Sequence, residues 1–139
     1  MKIRQAKLED VKSISKIISK LDFKDFKPSD NDLVKSQILR KEYFVAEENE
    51  NIIGALCLSI EEKSAEIYSI VSLRKGIGKE LILYAEKICV KKGISKIWAW
   101  SLKKYEAQQF YDKMGFTEQF LLKKQWFNED CYFFGKVLS

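Results

Sequence analysis

The chain has 139 residues, of which 46% are hydrophobic and 32% charged, with a single proline and a formal net charge of +5. This size predicts one domain over residues 1–139, and the absence of a signal-like start or of any apolar run of roughly 18–20 residues predicts a cytoplasmic protein with no membrane partner. The chain has no histidine and its three cysteines form no C-x-x-C pair, so neither a metal site nor a Ser-His-Asp triad is expected.

Apolar periodicity predicts the order β-α-α-β-β-β in the first half of the chain. Residues 2–6 alternate as a strand, and a helical stripe runs from Val11 to Leu21. Ser29 or Asp30 is expected to cap a second helix that continues to about Arg40. The runs "EYFVAEE", "IIGALCLSI" and "AEIYSIVS" follow, separated by the turn-prone "NEN" and "EEKS". They predict three consecutive antiparallel strands.

The second half predicts the order α-β-α-β-β. A helix follows the glycines of "RKGIGK" and ends at Gly93, and "SKIWAWS" then alternates as a strand. A further helix stops at Gly115. Two aromatic-rich runs, 117–127 and 131–138, are expected to be strands with "NED" as the turn between them.

The sequence surroundings of the cysteines and of two tryptophans predict structural roles for them. Cys57, Cys89 and Cys131 each lie among apolar neighbours, which favours small buried hydrophobes over nucleophiles. Trp98 and Trp100 alternate along one strand, which favours core packing on one face over contact with a substrate.

The stretch "SLRKGIGK", residues 72–79, places two glycines between basic residues at the start of a helix. Unpaired helix N–H groups, the positive end of the helix dipole and nearby cations suit a pyrophosphate. An ordinary glycine-rich turn stays open from this stretch alone, and the spacing matches neither a Walker A loop nor a dinucleotide fingerprint. Because the basic residues are dispersed along the chain, no nucleic-acid partner is expected.

Two sequence blocks resemble one known family. "RKGIGKELILYAEKICVKKGISKIWAWS", followed by "YEAQQFYDKMGF", is similar to the acetyl-CoA-binding half of the GNAT superfamily of N-acetyltransferases. The resemblance implies an α+β (α/β-type) GNAT fold: a central mixed, mostly antiparallel seven-stranded sheet flanked by about four helices and splayed between strands 4 and 5. It also implies acetyl-CoA as co-substrate and no metal.

The resemblance carries the coenzyme site onto particular positions of this chain. The family's Q/R-x-x-G-x-G/A motif falls on the glycine loop, although its Q/R position is Leu73 here, and an asparagine of the second block is replaced by Lys104. In the family, the pantetheine arm lies along the fourth and fifth strands. The implied cofactor-binding residues are Ile70, Val71, Arg74, Lys75, Gly76, Ile77, Gly78, Lys79, Lys104, Ala107 and Phe110.

Two residues are implied as catalytic. Tyr111 corresponds to the family's tyrosine beside the thioester sulfur and is expected to be the general acid, with core packing as the alternative. Glu66 resembles the glutamate that serves as general base in the histone-acetylating branch. By strand alternation it shares a face with Tyr68 and Ile70. An exposed strand start is the equally weighted alternative for Glu66.

The leading hypothesis is an N-acetyltransferase that transfers the acetyl group directly from acetyl-CoA to an amine, without an acetyl-enzyme. The sequence leaves the acceptor open among a protein N-terminus, a lysine and a small-molecule amine, because the regions that correspond to the family's acceptor cleft, 21–40 and 117–139, carry no recognisable motif. A homodimer is compatible with this reading. Two alternatives are a catalytically silent acyl-CoA-binding regulatory module and a nucleotide-binding α/β domain, which the missing third glycine disfavours.

Overall fold

The computed structural model describes residues 1–138 and follows the predicted order of strands and helices. Short 3-10 turns precede and follow the first helix, and another precedes the fourth. The elements are β1 Lys2–Gln5, α1 Val11–Ile18, α2 Asn31–Leu39, β2 Tyr43–Glu48, β3 Asn51–Glu61, β4 Ser64–Ser72, α3 Ile77–Lys91, β5 Lys96–Leu102, α4 Gln108–Lys113, β6 Glu118–Trp126 and β7 Glu129–Val137.

Local turn and cap chemistry accounts for several boundaries. The Asp30 side chain accepts a hydrogen bond from the Leu33 amide at 3.0 Å, so Asp30 rather than Ser29 caps α2. The hairpin turn after β6 lies at Phe127 and Asn128, both with positive φ, one residue earlier than the predicted "NED". Positive φ at both central residues is typical of the tight turns whose twist suits a two-residue hairpin.

The seven strands form one sheet in the order β1-β2-β3-β4-β5-β7-β6. Pairing is antiparallel for β1–β2, β2–β3, β5–β7 and β6–β7, and parallel for β4–β5. The parallel β4–β5 pairing includes Ala65–Ile97, Glu66–Trp98 and Ile67–Ala99. The predicted mixed sheet, with its splay between the fourth and fifth strands, is confirmed.

Backbone contacts divide the chain into two compact units. The first comprises Met1–Ser59 and Tyr68–Ala85, and the second comprises Ile60–Ile67 and the chain from Glu86 onward. In the first unit the apolar faces of α1 and α2 contribute to a core shared with β2 and β3. Its buried members include Ile14, Ile17, Ile18, Val34, Ile38, Tyr43, Val45, Ala55 and Cys57. The single-domain prediction stays a prediction.

All three cysteines are buried, and none of them forms a disulfide. Burial raises the pKa of Cys89 to about 11, so its thiol is protonated at neutral pH. Cys57 and Cys131 are each no more than 2% exposed. The preference for small buried hydrophobes over nucleophiles agrees with this burial. In the part of the chain that is described, no helix is long and apolar enough to cross a membrane.

Candidate active site

The glycine loop lies in the first unit, between the end of β4 and the start of α3. Gly76 has φ +90°, and a Cβ added there would meet no atom within 4 Å, so the backbone conformation rather than crowding requires glycine. The Gly76 carbonyl accepts a hydrogen bond from the Glu80 amide at 3.2 Å, so the helical hydrogen bonding of α3 begins at Gly76. The chain thus turns at Gly76 directly into the helix.

Backbone amides of the loop are open to a ligand. Between Lys75 and Lys79 only the Ile77 amide donates to a protein acceptor within residues 1–138, reaching the Arg74 carbonyl at 3.3 Å. The side chains of Lys75 and Lys79 are exposed and form no ion pair with any described residue. Free N–H groups, the dipole of a helix of 15 residues and two unpaired ammonium groups together make an anion-binding arrangement.

Arg74, the third basic residue of the loop, is held in an ion pair and is not available to an anion in the same way as the two lysines. Its guanidinium donates to both carboxylate oxygens of Glu48 at 2.8 Å each. These hydrogen bonds lower the pKa of the Glu48 carboxyl. Leu73, at the family's Q/R position, is 50% exposed. The two lysines are therefore the loop's unpaired cations.

Gly54 was not singled out by the sequence reasoning, yet it sets where α3 begins. A Cβ at Gly54 would lie 2.7 Å from Ile77 Cγ2 and 3.1 Å from Leu81 Cδ1. Only glycine lets the first turn of α3 approach β3 this closely. A glycine inside a strand-like run was the available signal.

Tyr111 lies in the second unit, on α4, and its ring is enclosed by aromatic side chains. The ring stacks on Phe134 with centroids 4.5 Å apart and makes edge contacts with Phe116 at 5.0 Å and Phe110 at 5.2 Å. The residue is only 3% exposed. Burial raises the pKa of the Tyr111 phenol well above its usual value, so the hydroxyl keeps its proton at neutral pH.

The Tyr111 hydroxyl nevertheless has no protein partner among the described residues. Buried hydroxyl groups are usually paired. The aromatic contacts thus fix the ring, while the hydroxyl makes no hydrogen bond to a described residue.

The end of α4 holds Tyr111 in this position. The Phe116 amide donates to the Tyr111 carbonyl at 3.0 Å and the Gly115 amide to the Asp112 carbonyl at 3.0 Å. This is a Schellman motif, with the expected apolar contact between Phe116 and Tyr111. The Lys136 ammonium also donates to the Met114 carbonyl at 2.9 Å.

The other second-unit positions implied for the coenzyme cluster at the start of α4. Lys104 lies in an exposed 3-10 turn, and Ala107 precedes the helix, where its carbonyl accepts from the Tyr111 amide at 3.1 Å. Phe110 is half-buried against Tyr111. Ile70 and Val71 lie in the first unit near the end of β4, half-buried and buried respectively.

Glu66 is half-buried on β4. Burial raises the pKa of its carboxyl, and the nearby Glu61 carboxylate raises it further. No hydrogen bond or ion pair within residues 1–138 compensates the charge. The burial pattern of β4 alternates as predicted, with Glu66, Tyr68 and Ile70 on its less buried face.

Glu66 and Tyr111 lie on opposite faces of the sheet of the second unit. Glu66 pairs with Trp98, which pairs with Gly135, so these three share one face. Phe134, on which Tyr111 stacks, belongs to the other face because strand residues alternate. The carboxylate and the phenol are therefore separated by the sheet.

Comparison with known proteins places the chain in a family. A model of the acetyltransferase (GNAT) family matches residues 11–116. The chain belongs to the GNAT family. None of the curated proteins compared with this GNAT chain is a significant match.

Solved structures show the same fold at low identity. Ard1 from Thermoplasma volcanium is 17% identical with a TM-score of 0.86, covering 99% of this GNAT chain and 97% of that one. PaiA N-acetyltransferase from Thermoplasma acidophilum, in complex with coenzyme A, is 20% identical with a TM-score of 0.78 and 98% coverage of both chains. YncA from Salmonella typhimurium, with its cofactor acetyl-CoA, is 20% identical with a TM-score of 0.80, covering 100% and 94%. The predicted GNAT fold is confirmed.

Proposed function

We propose that this protein is a cytoplasmic N-acetyltransferase that transfers the acetyl group of acetyl-CoA directly to a primary amine. The observation that carries the proposal is the start of α3, where unpaired amides and two unpaired lysines surround Gly76 and Gly78. Two structures of similar fold, PaiA and YncA, are described with coenzyme A or acetyl-CoA, which supports the same ligand here.

Coenzyme binding is assigned to the loop backbone first. The amides of Lys75, Gly76, Gly78 and Lys79 donate to the diphosphate, and the two lysine side chains neutralise its charge. Each charge-assisted hydrogen bond is worth about 1.5–3 kcal/mol, so a few of them support micromolar binding. Arg74 contributes less than the lysines, because Glu48 already holds its guanidinium.

The remaining coenzyme contacts are assigned along β4 and at the start of α4. Ile70 and Val71 lie near the end of β4, where the resemblance to the family implies that the amide-containing arm pairs with the strand by strand addition. We assign the part of acetyl-CoA near the acetyl group to Lys104, Ala107 and Phe110, because these residues flank Tyr111 in sequence and structure.

Glu66 and Tyr111 are assigned the two proton transfers. Glu66, directly or through water, accepts a proton from the ammonium, and the neutral nitrogen then forms a bond to the thioester carbon. The C–S bond breaks as the sulfur is protonated, and the second proton that leaves the nitrogen returns through water to the oxygen of the proton donor. The Tyr111 hydroxyl donates to the departing thiolate.

Two measurements test the proposal in sequence. Isothermal titration with coenzyme A tests binding, and release of free thiol from acetyl-CoA with a panel of N-terminal peptides, lysine peptides, polyamines, aminoglycosides and amino acids tests transfer. Binding together with amine-dependent thiol release supports the enzyme. Binding without release from any amine would instead indicate the catalytically silent acyl-CoA-binding module.

Matched variants locate the coenzyme contacts. We expect Gly78→Glu to abolish coenzyme A binding in a folded protein and Lys79→Ala to weaken it at least about tenfold, the equivalent of about 1.4 kcal/mol. Lys87→Ala is the control, because Lys87 is an exposed lysine of the same helix, about 12 Å from Lys79 along its axis. Affinity of Gly78→Glu within about threefold of the parent would contradict the assignment.

A further inference from the structure

One face of the β5-β7-β6 sheet carries a cluster of aromatic side chains, here called the aromatic surface: Trp98, Trp100, Phe120 and Phe133. Trp100 pairs with Phe133, and Phe133 pairs with Phe120, so the rings lie side by side across three strands. Trp100 is 42% exposed and Phe120 56%. The core packing expected for Trp100 is therefore wrong, because its strand face is not covered in this unit.

The rings of the aromatic surface support one another. Trp98 stacks on Phe133 with centroids 5.8 Å apart, and Trp100 makes edge contacts with Trp98 at 6.2 Å and with Phe133 at 5.8 Å. The Trp98 indole N–H donates to the Ser64 hydroxyl at 2.8 Å, which fixes its orientation. The surface is thus pre-organised and loses little side-chain entropy on binding.

The aromatic surface begins beside Glu66. Glu66 is the direct strand partner of Trp98, and both lie on the same face. Directly opposed side chains on neighbouring strands have Cβ atoms about 5 Å apart. When an acceptor amine lies at the Glu66 carboxylate, a group attached two or three bonds from its nitrogen therefore lies over the indole of Trp98.

The surface already carries its own cation, on β5 beside Trp98. Lys96 forms an ion pair with Glu118 across β7, and its ammonium lies 5.5 Å from the centre of the Phe133 ring. The pair fits because residue 135 is glycine, whose missing Cβ would lie 2.6 Å from the Glu118 carboxylate. The cation–π position on Phe133 is thus already occupied, so a second ammonium gains little there, whereas an uncharged aromatic ring can still pack on the surface.

We propose that the aromatic surface binds the acceptor next to its reacting amine, so that the enzyme selects monoamines bearing an aromatic ring close to the amine over polyamines. This inference rests on the proposed function, with Glu66 at the acceptor nitrogen. Acidic Glu66 and Glu61 attract the ammonium of the acceptor, and the adjoining rings take its apolar part.

Kinetics with three probe amines test the selection. We expect kcat/KM for 2-phenylethylamine to exceed that for ethylamine and for spermidine at least tenfold in the parent protein. In Trp100→Ala, kcat/KM for 2-phenylethylamine should lie within about threefold of kcat/KM for ethylamine. If the alanine variant does not fold, Trp100→Leu replaces it in the same measurement. Trp126→Ala is the matched control, because Trp126 is an exposed tryptophan at the far end of β6, and it should leave the ratio unchanged.

A binding measurement separates this inference from the proposed function. In the protein saturated with coenzyme A, 2-phenylethylamine should shift the indole N–H resonances of Trp98 and Trp100 and leave that of Trp126 in place. These shifts with no thiol release from any amine would refute the proposed function while the binding surface stands. Thiol release with no preference for the aromatic amine, or with a preference that Trp100→Ala and Trp100→Leu preserve, overturns the inference.

Discussion

Glu66 combines partial burial, a neighbouring carboxylate and the absence of a compensating partner among the described residues. A carboxyl in such a place has a raised pKa, which brings it closer to the pH at which an amine is activated. The same features are costly in a purely structural residue. Glu66 is therefore the residue at which a pH profile is most informative.

We expect the acid limb of kcat/KM to lie above the usual glutamate pKa, because the raised pKa keeps Glu66 protonated and inactive over a wider acidic range. Glu66→Gln should lower the rate most near neutral pH and progressively less as the pH rises through the pKa of the amine. Steady-state rates between pH 5 and 10 with one identified amine measure both effects. A loss of equal size at every pH would assign Glu66 to structure or binding.

Tyr111→Phe keeps the ring that packs on Phe134 and Phe116 and removes only the unpaired hydroxyl. We expect coenzyme A affinity and melting temperature to stay nearly constant while kcat falls by about 10²-fold or more, the usual effect of removing a positioned acid. The raised pKa makes complete transfer to a thiolate unfavourable, since a thiol has a pKa of about 8.5. The variant therefore tests whether the Tyr111 hydroxyl donates a hydrogen bond or proton to the sulfur while the C–S bond is breaking.

A fall in kcat of less than about fivefold would show that Tyr111 only packs. Water is then the next proton donor to test, by the solvent isotope effect on kcat. The melting temperature distinguishes this result from a loss of packing, since the phenylalanine ring preserves the stacking contacts.

At the scale of the element, the position of α3 depends on its contact with β3. Gly54→Ala would bring a methyl group within 2.7 Å of Ile77 Cγ2, a branched atom close to the helix backbone. We expect the free energy of unfolding to fall by about 1–3 kcal/mol and, on the proposed function, coenzyme A affinity to fall with it. Urea unfolding and titration measure the two effects.

A double-mutant cycle tests the stated cause. In an Ile77→Ala background the clashing methyl is gone, so Gly54→Ala should cost clearly less than in the parent chain. Equal costs in both backgrounds would mean that Gly54 acts through the strand backbone instead of through its contact with α3.

The stability of the whole molecule includes a buried charge cluster in the first unit. Arg4 donates to the Asp10 carboxylate at 2.8 and 3.1 Å and to Glu47 at 3.2 and 3.3 Å, and the Lys7 amide donates to Asp10 at 2.7 Å. Burial by itself raises the pKa of Asp10, but the hydrogen bonds from Arg4 and Lys7 outweigh it and leave the pKa lowered. The fold therefore gains stability from ionised Asp10.

Because the folded-state pKa lies below the unfolded one, this contribution is present above the unfolded carboxyl pKa of about 3.9 and is lost as the pH falls through the folded value. We expect Asp10→Asn to lower the free energy of unfolding at pH 7 by about 2–3 kcal/mol, because Arg4 loses the more buried of its two carboxylate partners and keeps only Glu47. Urea unfolding at a series of pH values should also show a flatter acid decline in the variant. Parallel pH curves for the two proteins would contradict the role of Asp10.

The sequence by itself determined the order of strands and helices, the glycine loop before α3, the stop of α4 at Gly115 and the burial of the cysteines. These features follow from local causes: apolar period, caps, and turn residues within a few positions of one another. The two motif blocks are local for the same reason, which is why the family could be identified before the fold. Some boundaries moved: the turn after β6 lies at Phe127–Asn128, and the predicted first helix ends at Ile18 and continues as a 3-10 turn to Leu21.

Only the tertiary structure decided which strands became neighbours and which faces were covered. The insertion of β7 between β5 and β6 joins residues far apart in the chain, and it places Trp100, Phe133 and Phe120 side by side on an open face. Alternation in "SKIWAWS" specifies two faces but not which one is covered, since that depends on elements elsewhere in the chain. The pairing of Arg74 with Glu48 is likewise decided by side chains 26 positions apart, which no local pattern encodes.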